Sequence, residues 1–149
     1  MTPEQRAFLD SQRVARLATV DDAGRPHVVP VCFAHHAGAL YIAVDEKPKR
    51  GDPAALRRVR NILARPDVSV VADHYEEDWT RLRWLQVRGH AVLVVDTAER
   101  AGALAALRAK YPQYRAMALE TRPLIRVTPE RVVEWTAGGD ERTGGGGHG

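Results

Sequence analysis

The sequence predicts a mainly β domain with a few flanking helices. Apolar runs of strand length recur along the chain, and turn-forming residues such as Asp21-Asp22-Ala23-Gly24 separate them. The 149 residues are enough for one domain with one sizeable core. Six strands are predicted, at residues 14–20, 28–34, 39–44, 68–73, 82–95 and 123–135, the last as one strand or a pair.

Several residues mark turns or irregular points in this pattern. Pro30 lies inside the second predicted strand and indicates an edge, a bulge or a ligand-facing gap, because proline donates no ladder hydrogen bond. Residues 35–38 are predicted as a turn. Gly89 interrupts the fifth strand, and Thr128-Pro129 breaks the last.

Three helices are predicted outside the basic segment that is described below. Thr2 and Pro3 open a short amphipathic helix that ends near residue 12. Thr97 is predicted to cap an Ala-rich helix over residues 97–110, and a second short helix follows at 111–119. Seven of the 14 residues from Thr136 onward are glycine. We therefore expect a single domain over residues 1–135 and a flexible tail over 136–149.

Composition excludes several classes of protein. No apolar run approaches the roughly 20 residues of a membrane span, and the polar N-terminal segment does not read as a signal peptide. Cys32 is the one cysteine, so an intrachain disulfide is excluded. We expect a cytoplasmic protein. The pI near 9.3 permits nucleic-acid binding without arguing for it.

Other catalytic chemistry finds weaker support in the sequence. His27, His35 and His36 lack the spacing of a metal site, so no metal is expected. The segment HYEEDW, residues 74–79, has the composition of a paired-carboxylate site, but a solvated loop explains it as well. Cys32 near His35 is more typical of a small core residue than of a nucleophile.

The positive charge is concentrated in one segment, residues 47–65. This segment holds seven Lys or Arg residues and one acid, Asp52, whereas the rest of the chain has 15 basic and 18 acidic residues. Asp52 and Pro53 are typical of an N-cap and first helical position. The helix that follows has an apolar stripe predicted to be buried, formed by Leu56, Val59, Ile62 and Leu63.

Three polar side chains lie beside that stripe on the predicted helix. Arg57, Arg60 and Asn61 are spaced at i, i+3 and i+4, so they share one flank. Two guanidiniums and an amide on a face anchored to a core suit an anion such as phosphate. An ordinary solvated face remains the alternative.

Three stretches of the chain resemble the pyridoxamine 5'-phosphate oxidase-like flavin-binding split barrels. RLATVDDAGRPHVVPVCF (16–33) resembles the first hairpin of that family, LRRVRNILARPDVSVV (56–71) its phosphate-binding helix and following strand, and LRWLQVRGHAVLV (82–94) its long strand. The resemblance covers about residues 3–135. It implies a split β-barrel of the FMN-binding type, antiparallel and six-stranded, of Greek-key type, with flanking helices.

Within this superfamily the chain looks most like the actinobacterial branch that binds the deazaflavin coenzyme F-420. VDEKPKR (44–50), LRRVRNI (56–62) and DHYEEDW (73–79) carry that likeness. The oxidases proper place Arg-Lys where this chain has Arg57-Arg58, and those residues bind the flavin phosphate. The segment after Trp135 lacks the Arg- and His-rich substrate motif of the oxidases, which counts against vitamin B6 as the substrate.

The resemblance, together with the needs of a flat ring, predicts a cofactor site. Val29, Pro30 and Val31 are expected to offer backbone groups and small side chains to the ring edge. Trp79 and Trp84 are candidate walls, although either can be a structural core residue. Lys47, Lys49 and Arg60 exceed what one phosphate needs, which favours the longer anionic tail of F-420 over FMN.

These features together predict an oxidoreductase that transfers a hydride from F-420 to a small electron-poor molecule. The proton donor is left open among Tyr75, His74 and solvent. Family members are usually homodimers with the cofactor at the interface, and the same is expected here. An FMN-dependent enzyme of the same fold and a flavin or deazaflavin carrier without turnover are the alternatives. A nucleic-acid binder is disfavoured because the basic segment lacks interleaved aromatic residues.

Overall fold

The computed structural model describes residues 1–44, 53–139 and 142–144, and only the main-chain course of 53–56 and 142–144. Three α-helices, two short 3-10 helices and eight strands make up these parts of the chain. The elements are α1 (Pro3–Ser11), β1 (Ala15–Val20), β2 (Pro26–Val31), β3 (Ala34–His36), β4 (Ala39–Ala43), α2 (Pro53–Ala64), β5 (Asp67–His74), a 3-10 helix (Trp79–Arg81), β6 (Arg83–Leu93), α3 (Thr97–Lys110), a second 3-10 helix (Pro112–Ala116), β7 (Leu124–Thr136) and β8 (Arg142–Gly144).

The strands form one antiparallel half-barrel in the order β2-β1-β5-β6-β7-β4-β3, with β8 paired to β7. The prediction of six strands is wrong, because the path contains seven. The predicted strand at 28–34 is in fact two strands, separated at Cys32-Phe33. β2 pairs with β1 and β3 pairs with β4, so the chain passes here from one end of the sheet path to the other.

The main core fills the inner face of the half-barrel. Leu17, Ile42, Val70, Leu85 and Ile125 are fully buried members of it, one from each of five strands. Two helices add apolar side chains to the same cluster. They are Phe8 and Leu9 from α1 and Ile62 from α2. The half-barrel is therefore closed against both helices by one continuous set of apolar contacts.

A second apolar cluster joins α3 to the opposite face of β3 and β4. Tyr41 on β4 packs there with Leu104 and Leu107 of α3. The Tyr41 hydroxyl donates to Glu99 at 2.7 Å, and Arg126 donates to the same carboxylate at 2.7 Å. Burial, with the Glu99 carboxylate beside it, raises the pKa of Tyr41 to about 12. The hydroxyl therefore remains a donor to Glu99 at neutral pH.

The irregular point in the long hairpin is a bulge between β6 and β7. Arg88 pairs with Arg131 but Gly89 pairs with Pro129, so Glu130 is passed over in the register. A Cβ at Gly89 would lie 2.3 Å from the carbonyl oxygen of Thr128, which explains the glycine. Both strands continue through the bulge, so Thr128-Pro129 does not break the last strand as predicted.

Several predicted boundaries differ from the structure. The cap of α3 is Asp96, whose carboxylate accepts from the Glu99 amide, and Thr97 is the first helical residue. The predicted turn at 35–38 is tighter, since His35 and His36 belong to β3. The predicted helix at 111–119 is a 3-10 helix over Pro112–Ala116. Within the predicted tail, Arg142–Gly144 pair with Val132–Glu134.

The N-terminal helix agrees with its prediction. Thr2 and Gln5 form a reciprocal capping box, and Pro3 is the first helical residue. α2 likewise begins its described course at Pro53, while its predicted cap, Asp52, lies outside the described residues. None of the described helices is both long and apolar enough to span a membrane.

Candidate functional site

An open depression of about 620 Å³ lies on the outer face of the sheet, where β1, β5 and β6 run side by side. It is lined by Arg16, Val71, Asp73, Trp84 and Gln86. Their immediate neighbours Leu17, Val70 and Leu85 are buried in the core. Because successive side chains of a strand point to opposite faces, the lining residues all share the outer face. We call this depression the outer pocket.

The register of the strands fixes the shape of the outer pocket. Val71 lies opposite both Arg16 and Gln86, and Asp73 lies opposite Trp84. Arg16 donates to Asp73 at 2.7 Å, forming an exposed ion pair beside the indole. The pocket therefore combines a flat aromatic wall, an apolar floor, an amide and an ion pair. This combination suits a planar ligand with polar edges.

The basic helix α2 is fastened to the barrel on one side. Ile62 is buried in the main core, and the Asn61 amide donates to the Thr19 hydroxyl at 3.0 Å. Arg57 and Arg60 are exposed and make no ion pair with any described residue. The prediction of an exposed flank is confirmed for these two arginines. Asn61, which helical spacing placed on the same flank, is buried. The prediction that Leu63 belongs to the buried stripe is wrong, because this residue is 68% exposed.

Arg58 differs from Arg57 in its surroundings. Its side chain is 4% exposed, whereas that of Arg57 faces solvent. The structure thus separates the two residues that the family motif places together at the cofactor phosphate. Arg57 is available to a ligand from outside, and binding through Arg58 remains a prediction. Lys47 and Lys49 lie outside the described residues.

The second strand contributes less to the outer face than predicted. Val31 is buried in the core and Val29 packs against it, so both side chains point inward. Pro30 is exposed and lies opposite Arg16 of the outer pocket. Pro30 indicated an edge, a bulge or a ligand-facing gap, and the structure shows the edge, because β2 is at one end of the path that the described strands form.

The two candidate tryptophans lie in different environments. Trp84 lines the outer pocket and is opposite Trp135 on β7. Trp79 belongs to the 3-10 helix, is 66% exposed and is not among the pocket-lining residues. Trp84 and Arg16, which is paired with Pro30, therefore line the same pocket, whereas Trp79 is not part of its lining.

The loop that contains the segment HYEEDW, residues 74–79, has charged side chains with partners nearby in the chain. His74 and Arg81 both contact Glu76, at 2.9 and 3.0 Å. Asp78 caps the following 3-10 helix. These contacts favour a structural role for the loop over a paired-carboxylate site. Cys32 is half-buried against the second apolar cluster, which agrees with a packing role.

Sequence reasoning missed most residues of the outer face. Arg16, Val71, Asp73 and Gln86 were not predicted, although Trp84 was. Their signal is the alternation of polar and apolar residues along strands β1, β5 and β6. Asp67, His90 and Glu130 were missed as well, and their potential ligand atoms lie within 4.8 Å of one another on three adjacent strands. The bulge at Gly89 brings Glu130 to this cluster, which no local pattern reveals.

The fold is an antiparallel half-barrel with an open pocket on its outer face. A sequence profile described as pyridoxamine 5'-phosphate oxidase matches residues 1–136, which is most of the chain. The chain belongs to this family. No curated protein is significantly similar to it in sequence.

Solved structures share the fold at low sequence identity. A conserved hypothetical protein from Mycobacterium tuberculosis is 20% identical with a TM-score of 0.74, covering 98% of this chain and 93% of that one. A heme binding protein from Mycobacterium smegmatis is 19% identical with a TM-score of 0.73, covering 97% and 59%. A FAD-binding protein from Mesorhizobium loti is 24% identical with a TM-score of 0.65, covering 90% and 94%.

Proposed function

We propose that this protein binds the deazaflavin coenzyme F-420 and transfers a hydride from it to a small electron-poor molecule. The observation that carries the proposal is the anchored helix α2, on which Arg57 and Arg60 are exposed and make no ion pair with any described residue, together with the outer pocket on β1, β5 and β6. A planar ring with an anionic tail needs both parts. Family membership and a FAD-binding relative of the same fold support a flavin-type cofactor.

The residues of the chain have distinct tasks in this proposal. The indole of Trp84 offers its face to the ring, and Val71 supplies an apolar floor. The Gln86 amide can donate to a ring carbonyl and accept from a ring N–H. Arg57 and Arg60 bind the phosphate of the tail, with Asn61 and Ile62 holding their helix in place. The cofactor supplies the hydride when bound.

The choice of F-420 over FMN depends on the number of cations. Arg57 and Arg60 suffice for the single phosphate of FMN. The tail of F-420 carries a phosphodiester and several carboxylates, and Lys47 and Lys49 would add the charge that such a tail requires. FMN is the alternative cofactor, and carriage of either cofactor without turnover is the alternative activity.

The similarity to a heme-binding protein suggests heme as a different ligand, but the outer pocket is less suited to heme. Protein-bound heme iron is held by His, Cys, Met or Tyr side chains. None of the five lining residues is of these types. The flat wall and the external arginines fit a flavin or deazaflavin without an axial ligand.

We propose that two copies of the chain assemble around the cofactor. β2 is at one end of the sheet path, and Val28 on it is 60% exposed. A second copy packed on this face would cover the apolar edge and shield the outer pocket from water. Light scattering at micromolar concentration tests this, and a monomer in the presence of cofactor would contradict it.

The deciding experiment is a titration of the purified protein with F-420 and with FMN. The proposal expects a colourless protein that quenches deazaflavin fluorescence and prefers F-420 at moderate salt. A yellow protein as isolated, or a preference for FMN, supports the alternative cofactor. Trp84→Ala and Trp79→Ala then locate the ring. The first is expected to weaken binding and the second to leave it nearly unchanged, and the reverse order would place the ring at Trp79.

A further inference from the structure

A row of three donor side chains lies next to the outer pocket. Ser69 on β5 is opposite Arg88 on β6, and Arg88 is opposite Arg131 on β7. Directly opposed residues of antiparallel strands point to the same face of the sheet. Gln86 of the outer pocket is two residues before Arg88 on the same strand, so the row shares the outer face with the pocket at a distance of roughly 7 Å.

The donors of this row have no acceptors among the described residues. Neither Arg88 nor Arg131 forms a hydrogen bond or ion pair with any of them. The Ser69 hydroxyl and the Arg131 Nε are buried and have no hydrogen-bond partner in the part of the chain that the structure describes. Buried donors without acceptors are rare in folded proteins, because folding removes their water and offers nothing in return.

The opposed arginines also repel one another. Like charges directly across an antiparallel pair destabilise a sheet. An oxyanion between the two guanidiniums would relieve the repulsion and accept from both. Asp67 and Glu130 form a cluster with His90 near the two arginines on the same three strands. Neither acid makes an ion pair with Arg88 or Arg131. The negative charges of Asp67 and Glu130 weaken the attraction of the site for an anion, but they do not neutralise Arg88 and Arg131 by direct contact.

We propose that Arg88 and Arg131, assisted by Ser69, form an oxyanion-binding subsite that extends the outer pocket. A substrate that lies against the cofactor ring of the proposed function would reach it with a carboxylate or phosphate held roughly 7 Å from Gln86. The substrate class is therefore a small planar molecule with an anionic group. The catalytic meaning of the subsite rests on the proposed function, but anion binding itself needs no cofactor.

The test is a titration of the full-length protein with inorganic phosphate and, separately, succinate, each matched for ionic strength with sodium chloride. Thermal unfolding reports stabilisation by any ligand that binds the folded state. Arginine Nε–Hε NMR signals report which guanidiniums respond. The variants are Arg88→Gln and Arg131→Gln, and Arg115→Gln is the matched control because Arg115 is exposed on the second 3-10 helix.

The subsite predicts a specific pattern of results. Phosphate or succinate raises the melting temperature of the wild type and of the Arg115 variant by a few degrees, and shifts the Arg88 and Arg131 signals. In the Arg88 and Arg131 variants the affinity for the anion is roughly three- to tenfold lower, so both effects need correspondingly higher anion concentrations. The Asp67→Asn/Glu130→Gln double variant binds the anion more tightly, because two nearby negative charges are removed. A larger shift of the Arg88 and Arg131 signals with phosphate than with succinate identifies a phosphate group as the ligand of this row, and the reverse a carboxylate.

Equal stabilisation of the wild type and both arginine variants would overturn the subsite, as would the absence of any response. If a glutamine variant fails to fold, Arg88→Lys and Arg131→Lys keep the charge, and they are expected to bind more weakly than wild type because the fork geometry is lost. An F-420 titration separates the two proposals. A protein that binds phosphate at this row but not F-420 refutes the proposed function, and the opposite result refutes the subsite.

Discussion

The side-chain amide of Asn61 donates to the hydroxyl of Thr19 at 3.0 Å, and both residues are buried. This hydrogen bond joins α2 to β1 at the inner side of the helix. Arg57 and Arg60 occupy the outer side of the same helix. The contact therefore helps to hold α2 with these two arginines exposed to solvent.

Replacing Asn61 by alanine should destabilise the protein by about 1–3 kcal/mol, because the Thr19 hydroxyl loses its buried partner. Urea denaturation measures the change. Leu63→Ala on the same helix is the control, and should stay within about 0.5 kcal/mol because the side chain is exposed. Asn61→Ala combined with Thr19→Val should cost less than the sum of the single changes, and strict additivity would contradict the proposed coupling.

Arg57→Ala and Arg60→Ala should each weaken binding of the cofactor by about 1.5–3 kcal/mol, the worth of a charge-assisted contact. Their stability should be unchanged, since both side chains are exposed and make no ion pair with a described residue. Fluorescence titration with F-420 gives the affinity, and Arg115→Ala controls for the loss of one positive charge. If both variants bind as tightly as wild type, the basic helix is a solvated face.

Lys47→Ala/Lys49→Ala should separate the two cofactors, although these residues lie outside the described structure. Exposed contacts are worth no more than about 1 kcal/mol each and are screened by salt. The double variant should therefore bind F-420 a few-fold more weakly and with less dependence on salt, while its affinity for FMN stays the same. An equal loss for both cofactors argues for the FMN alternative.

Gly89→Ala should destabilise the protein by about 1–3 kcal/mol, because the added Cβ would meet main-chain atoms of β7 at the bulge. The nearest atom is the Thr128 carbonyl oxygen at 2.3 Å, which cannot move without disturbing the strand. Gly102→Ala is the comparison. Its Cβ would lie 3.0 Å from His36 Nε2, at the end of a side chain, and alanine favours the helix. Thermal unfolding of the two variants should show the larger loss for Gly89→Ala.

Lys110 should make the stability of the protein rise with pH above about 8. Its Nζ donates to the Leu9 carbonyl at 3.2 Å and lies 3.7 Å from the centroid of the Phe33 ring. Burial lowers the pKa of Lys110 from 10.5 to about 8. Between pH 8 and 10.5 the unfolded chain thus holds a proton that the folded protein has released, so the free energy of unfolding increases with pH in this window.

Lys110→Met removes this titration and keeps most of the side-chain volume. The free energy of unfolding of the wild type, minus that of the variant, should therefore grow between pH 8 and 10.5. Groups remote from Lys110 titrate in both proteins and cancel in the difference. A difference that stays constant or decreases across this window would show that Lys110 keeps its proton in the folded state.

The sequence determined the elements whose signals are local. The Thr2 cap and the turn at Asp21 each depend on residues within a few positions, and both were predicted. The concentration of basic residues in the segment that contains α2 was likewise visible in the sequence. The order of these elements was sufficient to indicate the family.

The tertiary structure decided which side chains meet. Cys32-Phe33 divides a continuous apolar run because its two halves pair with strands at opposite ends of the sheet path, which depends on distant partners. Asn61 is buried because Thr19 offers an acceptor, while helical spacing alone placed it with Arg57 and Arg60. The row of Ser69, Arg88 and Arg131 exists through the register of three strands. Pairing between strands far apart in the chain leaves no local pattern, so these relationships emerge only when the sheet is assembled.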